Sequence, residues 1–359
     1  MLQSSPWIMY CLGGLGLIWL GSVVLYWRHR QQLPGHTPLL IALCCWPLIL
    51  LDEVTSAIGG SALQGYGLTD WVPVLVITLL YRTIKPSVIK KRGPSKWMLW
   101  VPVIVCIILQ VPLTLSGIAE KESLLANGPI GHPLDYWPVY TISMVSGFCM
   151  LIIGLLITET VQNYHRHLSD QVVDPQEYRL KYIASAMGIT VGLSVILILL
   201  VTAVTFGFLP IVLWQSGFHL ILATALLGSL LVFIFPQRTA PCPLDYDRLD
   251  ERQAEQTAMR MAIERAEQVM LETRAYKKIG LTIDEFAAQA KLDPTLLAIA
   301  THLLLKKDFR QFVYHYRLEY AKNVLLRSDA NIAAVAKKLG LHSEKFMGEV
   351  LVKHLRNLE

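Results

Sequence analysis

Hydrophobic positions along this chain fall first into long runs and then into short periodic groups. Seven stretches are apolar over most of their length: 6–27, 38–58, 68–84, 97–116, 137–160, 182–206 and 210–235. A helix needs about 20 apolar residues to cross a hydrocarbon core roughly 30 Å thick. Backbone groups in lipid must be satisfied within their own segment, so each stretch predicts a membrane-spanning helix. The third stretch is the shortest and carries Asp70 and Pro73. The first runs from Pro6 to Trp27, with no basic residue before it and Arg28 and Arg30 after it. It is longer than the apolar region of a secretory signal and reads as a retained span.

After residue 236 the pattern changes. The stretch PQRTAPCP (236–243) ends the last apolar run, and 244–276 is charged and free of Pro and Gly. Met259, Ile263, Ala266 and Met270 form a short heptad-like stripe there. That stripe can join two copies of the chain as a coiled coil, or it can pack on the domain that follows. From 277 the chain predicts short helices. Thr282 with Glu285 makes a capping box ahead of Ile283, Phe286, Ala287 and Ala290 at helical spacing. Asp293 is an N-cap with Pro294 in the first turn of the next helix. A long helix follows from Phe309 to Leu326, then a short one from Asn331 to Lys338, a turn at Gly340 and a last helix from Ser343. The expected fold is all-α: a membrane domain over 1–236, a helical linker over 237–276 and a domain of paired helices over 277–359.

Charge supports this division. The chain is 53% hydrophobic and 16% charged, with a mean hydropathy of +0.45. Residues 1–236 hold 12 Lys+Arg and 10 Asp+Glu, against 20 and 17 in the shorter remainder. With seven spans and the C-terminus inside, the inner loops are 28–37, 85–96 and 161–181. Arg28, Arg30, Arg82, Lys85, Lys90, Lys91, Arg92, Lys96, Arg166, Arg179 and Lys181 then lie on the inner side, and only Lys121 lies outside. The positive-inside rule predicts an outer N-terminus and a cytoplasmic tail.

Few residues in the apolar runs offer chemistry. Asp52 lies 14 residues beyond Pro38, about 21 Å along a helix, which places it in the outer third of the core. A carboxylate at mid-bilayer costs about 2.5–3.5 kcal/mol on insertion scales, so such groups face the bundle interior. Asp52, Glu53, Asp70, Trp71, Trp214, Gln215 and His219 fall at similar depth. They are candidates for sensing an unknown signal ligand; alternatively they bond neighbouring helices, and the aromatic rings mark the membrane interface. Five of the six cysteines sit in apolar runs and only Cys242 does not; they read as buried small side chains. No HExxH or GxSxG occurs. Nothing points to an enzyme, a metal site or a cofactor.

Two stretches of the tail, LTIDEFAAQAKLDPTLLAIA and FRQFVYHYRLEYAKNVLLRSDANIAAVAKKLGLHSEKF, resemble the double helix-turn-helix domain of AraC-type regulators. Phe312, Tyr316, Arg317, Leu318, Ala321, Leu325, Ile332, Val335, Ala336, Gly340 and Phe346 fall where that pattern wants them. The resemblance covers about 80 of 359 residues. Together with the hydrophobic front end it looks like the membrane-anchored branch of the group. It implies a one-component transcriptional regulator in the bacterial inner membrane, with promoter DNA and RNA polymerase as partners. The residues then expected at DNA are Thr295, Thr301, His302, Lys306, Lys307, Arg310, Ser343, Lys345, Lys353 and Arg356. Two departures stand out. Where the family commonly has a basic residue on each reading helix, this chain has Ile299 and Glu349. The first reading helix, TLLAIATHLLL, is nearly all apolar, while base readout needs hydrogen-bonding side chains. The other reading is a membrane receptor or scaffold whose tail binds protein.

Overall fold

A computed structural model of the chain describes residues 6–33, 36–88, 97–127, 137–208, 215–240 and 255–327, with Val335 and Leu339. Among the described residues there is no strand, and extended pairing is limited to one antiparallel bridge, Val172 to Thr282. The helices are α1 (Pro6–His29), α2 (His36–Cys45), α3 (Leu51–Ile58), α4 (Val72–Val88), α5 (Val101–Leu115), α6 (Ile118–Asn127), α7 (Trp137–Arg166), α8 (Lys181–Thr205), α9 (Gln215–Ile234), α10 (Gln256–Thr273), α11 (Ile283–Ala290), α12 (Pro294–Leu303) and α13 (Phe309–Arg327). They form two compact units. The first is 1–87, 93–162 and 180–237; the second is 88–92, 163–179 and 238–359.

Among the described residues, six helical stretches are long and apolar enough to cross a membrane: Ile8–Gln32, Thr37–Ile58, Met98–Leu115, Trp137–Arg166, Lys181–Thr205 and Gln215–Ile234. Leu17, Leu20 and Val24 of α1, Ile108 and Leu115 of α5, and Ile189 and Leu199 of α8 are all exposed. Rows of large apolar side chains turned outward suit lipid as the solvent. The chain is therefore a membrane protein built of helices.

The third predicted stretch behaves differently. It becomes helical only at Val72, and α4 has 17 residues, about 25 Å of rise. Val72, Val74, Val76, Ile77, Leu79 and Leu80 are all buried. A helix that is apolar all round is buried all round, and α4 lies inside the first unit. Asp70 and Trp71, expected on this span, instead lie in the loop before it.

The second predicted stretch is interrupted. Between α2 and α3, Trp46–Leu50 forms a 3₁₀ segment with Pro47 near its start. Proline has no N–H to give to the carbonyl four residues back, which is that of Leu43. The Trp19 indole N–H donates to the Leu43 carbonyl at 2.9 Å. The Trp46 indole, itself buried, donates to the Ala223 carbonyl of α9 at 2.9 Å. Two tryptophans thus supply donors inside the bundle, where water cannot.

The second unit is built on α10 to α13. The Thr282 hydroxyl accepts the Glu285 N–H at 3.2 Å and caps α11. The Glu285 carboxylate accepts from Lys278 at 3.0 Å. Asp293 caps α12 by accepting the Thr295 N–H at 3.3 Å. The turn between α11 and α12 contains Lys291 at φ +56°, and the one before α13 contains Lys306 at φ +50°. Both are left-handed positions that ordinarily favour glycine. Phe286 and Phe309 pack with their rings tilted and centroids 5.9 Å apart. Past α13, Val335 and Leu339 pack on Ala321, Tyr314, Leu318, Tyr320 and Val324. The rest of the predicted second helix pair, including Ser343, Lys345, Lys353, Arg356 and Glu349, lies outside the described residues, as does Cys242.

Candidate functional sites

In the first unit the buried side chains of Asp52, Glu53, Gln110 and Lys121 gather around the loop 59–71. Gly59, Gly60 and Gly67 have positive φ and let it fold tightly. At Gly67 a Cβ would come within 2.7 Å of Leu113, so the backbone there needs glycine for space as well as for φ. Three elements hold the loop. Asp52 of α3 accepts the Gly67 N–H at 2.9 Å. Gln110 of α5 donates to the Gly67 carbonyl. Lys121 of α6, 1% exposed, donates to the carbonyls of Gln64 at 3.1 Å, Tyr66 at 2.9 Å and Thr114 at 3.4 Å. Burial holds the Lys121 ammonium below the usual lysine range, and the charge of Asp52 partly offsets this.

Beside the loop, Glu53 of α3 meets His219 of α9, with Oε1 3.0 Å from Nδ1. Gln215, one turn earlier on α9, donates to the Tyr66 hydroxyl at 3.4 Å. A cavity of about 30 Å³ lies next to this cluster. Its walls include Thr69, Asp70, Ser143, Ser146 and His219. It has room for water but not for a drug-sized ligand. Of the predicted sensing residues, Asp52, Glu53, Asp70, Gln215 and His219 come together here. Trp71 does not join them: it is partly exposed, and its indole donates to the Leu68 carbonyl at 3.0 Å. Trp214 lies outside the described residues. Lys121, Gln110 and Gly67 were not anticipated. The only signal for Lys121 was its position as the single base on the side opposite the others.

The second unit holds a tighter polar arrangement. Arg317 of α13 is 0% exposed. Its Nη1 and Nη2 donate to the two oxygens of Asp174 at 3.1 and 3.2 Å. Its Nε donates to the Tyr276 carbonyl at 2.7 Å, and Nη2 also donates to the Lys278 carbonyl at 2.8 Å. Asp174 accepts the Gly280 N–H at 2.8 Å as well. Around this pair the backbone joins too: Ile283 N–H donates to the Gln171 carbonyl at 2.8 Å, and Val173 N–H to the Leu281 carbonyl at 3.1 Å. The Tyr178 hydroxyl donates to the Gly280 carbonyl at 2.9 Å. Burial pushes that phenol above its ordinary range, helped by the charges of Glu285 and Glu177. The segment 163–179, which in sequence joins α7 to α8, is therefore part of the tail unit. Sequence reading placed it only as an inner loop.

The described residues expected at DNA differ in exposure. Thr301 is 2% exposed, and its hydroxyl donates back to the Leu297 and Ala298 carbonyls at 2.9 and 3.1 Å. In this arrangement its hydroxyl faces its own helix and not a surface. Ile299, at the family's reading position, is 5% exposed and packs with Ala300 against Met259 and Ile263 of α10. The stripe Met259, Ile263, Ala266 and Met270 is buried within the unit, so the second of its two readings describes this chain by itself. Thr295 is half-buried, and His302, Lys306 and Lys307 are exposed. Arg310 lies over the Tyr314 ring at 5.0 Å. Among the described residues no group of three His, Cys, Asp or Glu is arranged to hold a metal ion.

Comparison with protein-family models, with curated proteins and with solved structures finds no match to this chain.

Proposed function

We propose that the chain is a membrane-embedded one-component regulator, in which a signal received in the helical bundle is passed to a helix-turn-helix tail that binds promoter DNA. In this reading the bundle spans the bacterial inner membrane seven times, with the tail in the cytoplasm. One observation carries it: the segment between α7 and α8 is built into the tail unit by the Arg317–Asp174 pair and the Val172–Thr282 bridge. A change in the register of α7 against α8 then acts on the tail through a covalent connection besides the one after α9. The capped turn between α11 and α12, followed by α13, supports the helix-turn-helix assignment together with the resemblance of the tail to AraC-type domains.

A second reading is that the tail binds protein instead of DNA. The burial of Ile299 and Thr301 favours it, because the first reading helix then has few polar groups left to offer. Crosslinking of the tagged full-length chain to DNA in cells, followed by sequencing, separates the two. Enrichment at discrete loci supports the regulator. A flat profile, with the protein intact in the membrane, supports the second reading.

A further inference from the structure

The Asp52, Glu53, Asp70 and His219 side chains meet in surroundings that include Ile49, Pro73, Met150, Leu197 and Leu222. They come from α3, the 59–71 loop and α9. Asp70 lies within hydrogen-bonding reach of the Asp52 carboxyl. Glu53 is 4% exposed; its Oε1 faces His219, while its Oε2 has no hydrogen-bond partner in the protein. The other titratable groups facing the cluster are Tyr66 from the loop, Lys121 from α6, and Cys106 of α5 with its neighbour Cys149 of α7. Lys121 spends its donors on three carbonyls and not on a carboxylate.

Charges so placed must be compensated, because a carboxylate in a low-dielectric interior is costly unless it is paired. With every group counted in its charged form, three carboxylates stand against one lysine and one imidazolium, and one proton closes the difference. Carboxyl groups in mutual contact share such a proton as a pair. Metal-holding geometry does not occur among these residues. The adjoining cavity, about 30 Å³, has Thr69, Ser143 and Ser146 among its walls and room for water to carry the proton in.

We propose that the proton is the ligand of this bundle: the Asp52–Glu53–Asp70–His219 cluster takes up a proton and thereby loosens the 59–71 loop. The inference rests on the sensor reading above and names its signal. The link is Asp52, whose Oδ1 accepts the Gly67 N–H. A charge-assisted hydrogen bond is about twice as strong as a neutral one, so protonation at Asp52 weakens the hold of α3 on the loop.

The test is hydrogen exchange of the 59–71 segment in the full-length protein in lipid nanodiscs, titrated between about pH 5 and 8 and corrected for intrinsic exchange. Corrected exchange is expected to rise about fivefold or more as pH falls. Asp52→Asn and Asp70→Asn should each flatten that dependence. If Asp52→Asn fails to insert, Asp70→Asn and His219→Gln are read in its place. Infrared difference spectra should show the carbonyl stretch of a protonated carboxyl gained on acidification, and lost in Asp70→Asn. A flat wild-type profile overturns the proposal, and so does an unchanged profile in the variants. A response to Na⁺, Mg²⁺, Ca²⁺ or Zn²⁺ at fixed pH overturns it in favour of a cation. None of these readouts involves DNA, so failure of the regulator reading leaves them unaffected.

Discussion

Arg317 shows how much a single side chain can carry. Its planar fork matches the Asp174 carboxylate in a bidentate pair, and its remaining donors reach two carbonyls. Removing one partner leaves the other buried and uncompensated. Asp174→Asn or Arg317→Met should each cost the second unit roughly 3–5 kcal/mol. Exchange protection of the α13 amides in the full-length protein measures this. Removing both partners should cost clearly less than the sum of the two, because the penalty is largely that of the orphaned charge. Arg317→Lys should not restore stability, since an ammonium cannot make the fork and the Nε bond together. The sequence marks Arg317 as part of a family-like pattern, but it does not reveal Asp174. The two lie 143 residues apart, and no periodicity links an inner loop to a helix in the tail.

At the scale of elements, local signals read well and partner choice does not. The caps at Thr282 and Asp293 and the turn between α11 and α12 were legible, because capping depends on residues within three positions of one another. The α10 stripe was legible as a stripe but not as to its partner. An apolar row fits a second copy or a neighbouring helix equally well, and here Met259 and Ile263 cover Ile299. Ile299→Arg restores the residue type that the resemblance expects at this position. It should nevertheless destabilise the α10–α12 packing by about 3 kcal/mol or more, because the new charge has no partner there. Faster exchange in α10 and α12, without any gain in DNA retention, is the expected outcome. The break in the second span was not anticipated, although Pro47 was its visible cause.

For the whole molecule, the question is whether α4 crosses the membrane. Six helices qualify by length and composition, while α4 is shorter and buried in the first unit. If α4 crosses, the termini lie on opposite faces; if it does not, they lie on the same face. Charge on the loops argues for opposite faces, with eleven bases against Lys121. Reporter fusions at each terminus, active on one side only, should therefore give opposite readings. Matching readings would remove α4 from the spans and reverse the assignment of the loops that follow it.

By itself the sequence determined the long apolar helices of a membrane protein and most of the described helices of the second unit. Apolar run length, loop charge and capping are local quantities, and they are written directly in residue order. Only the tertiary structure decided which buried charges meet: Asp52 with the Gly67 amide, Glu53 with His219, Asp174 with Arg317. Those pairings depend on where distant helices and loops pack, and burial makes them matter, because a charge removed from water must find its counterpart wherever the fold brings one.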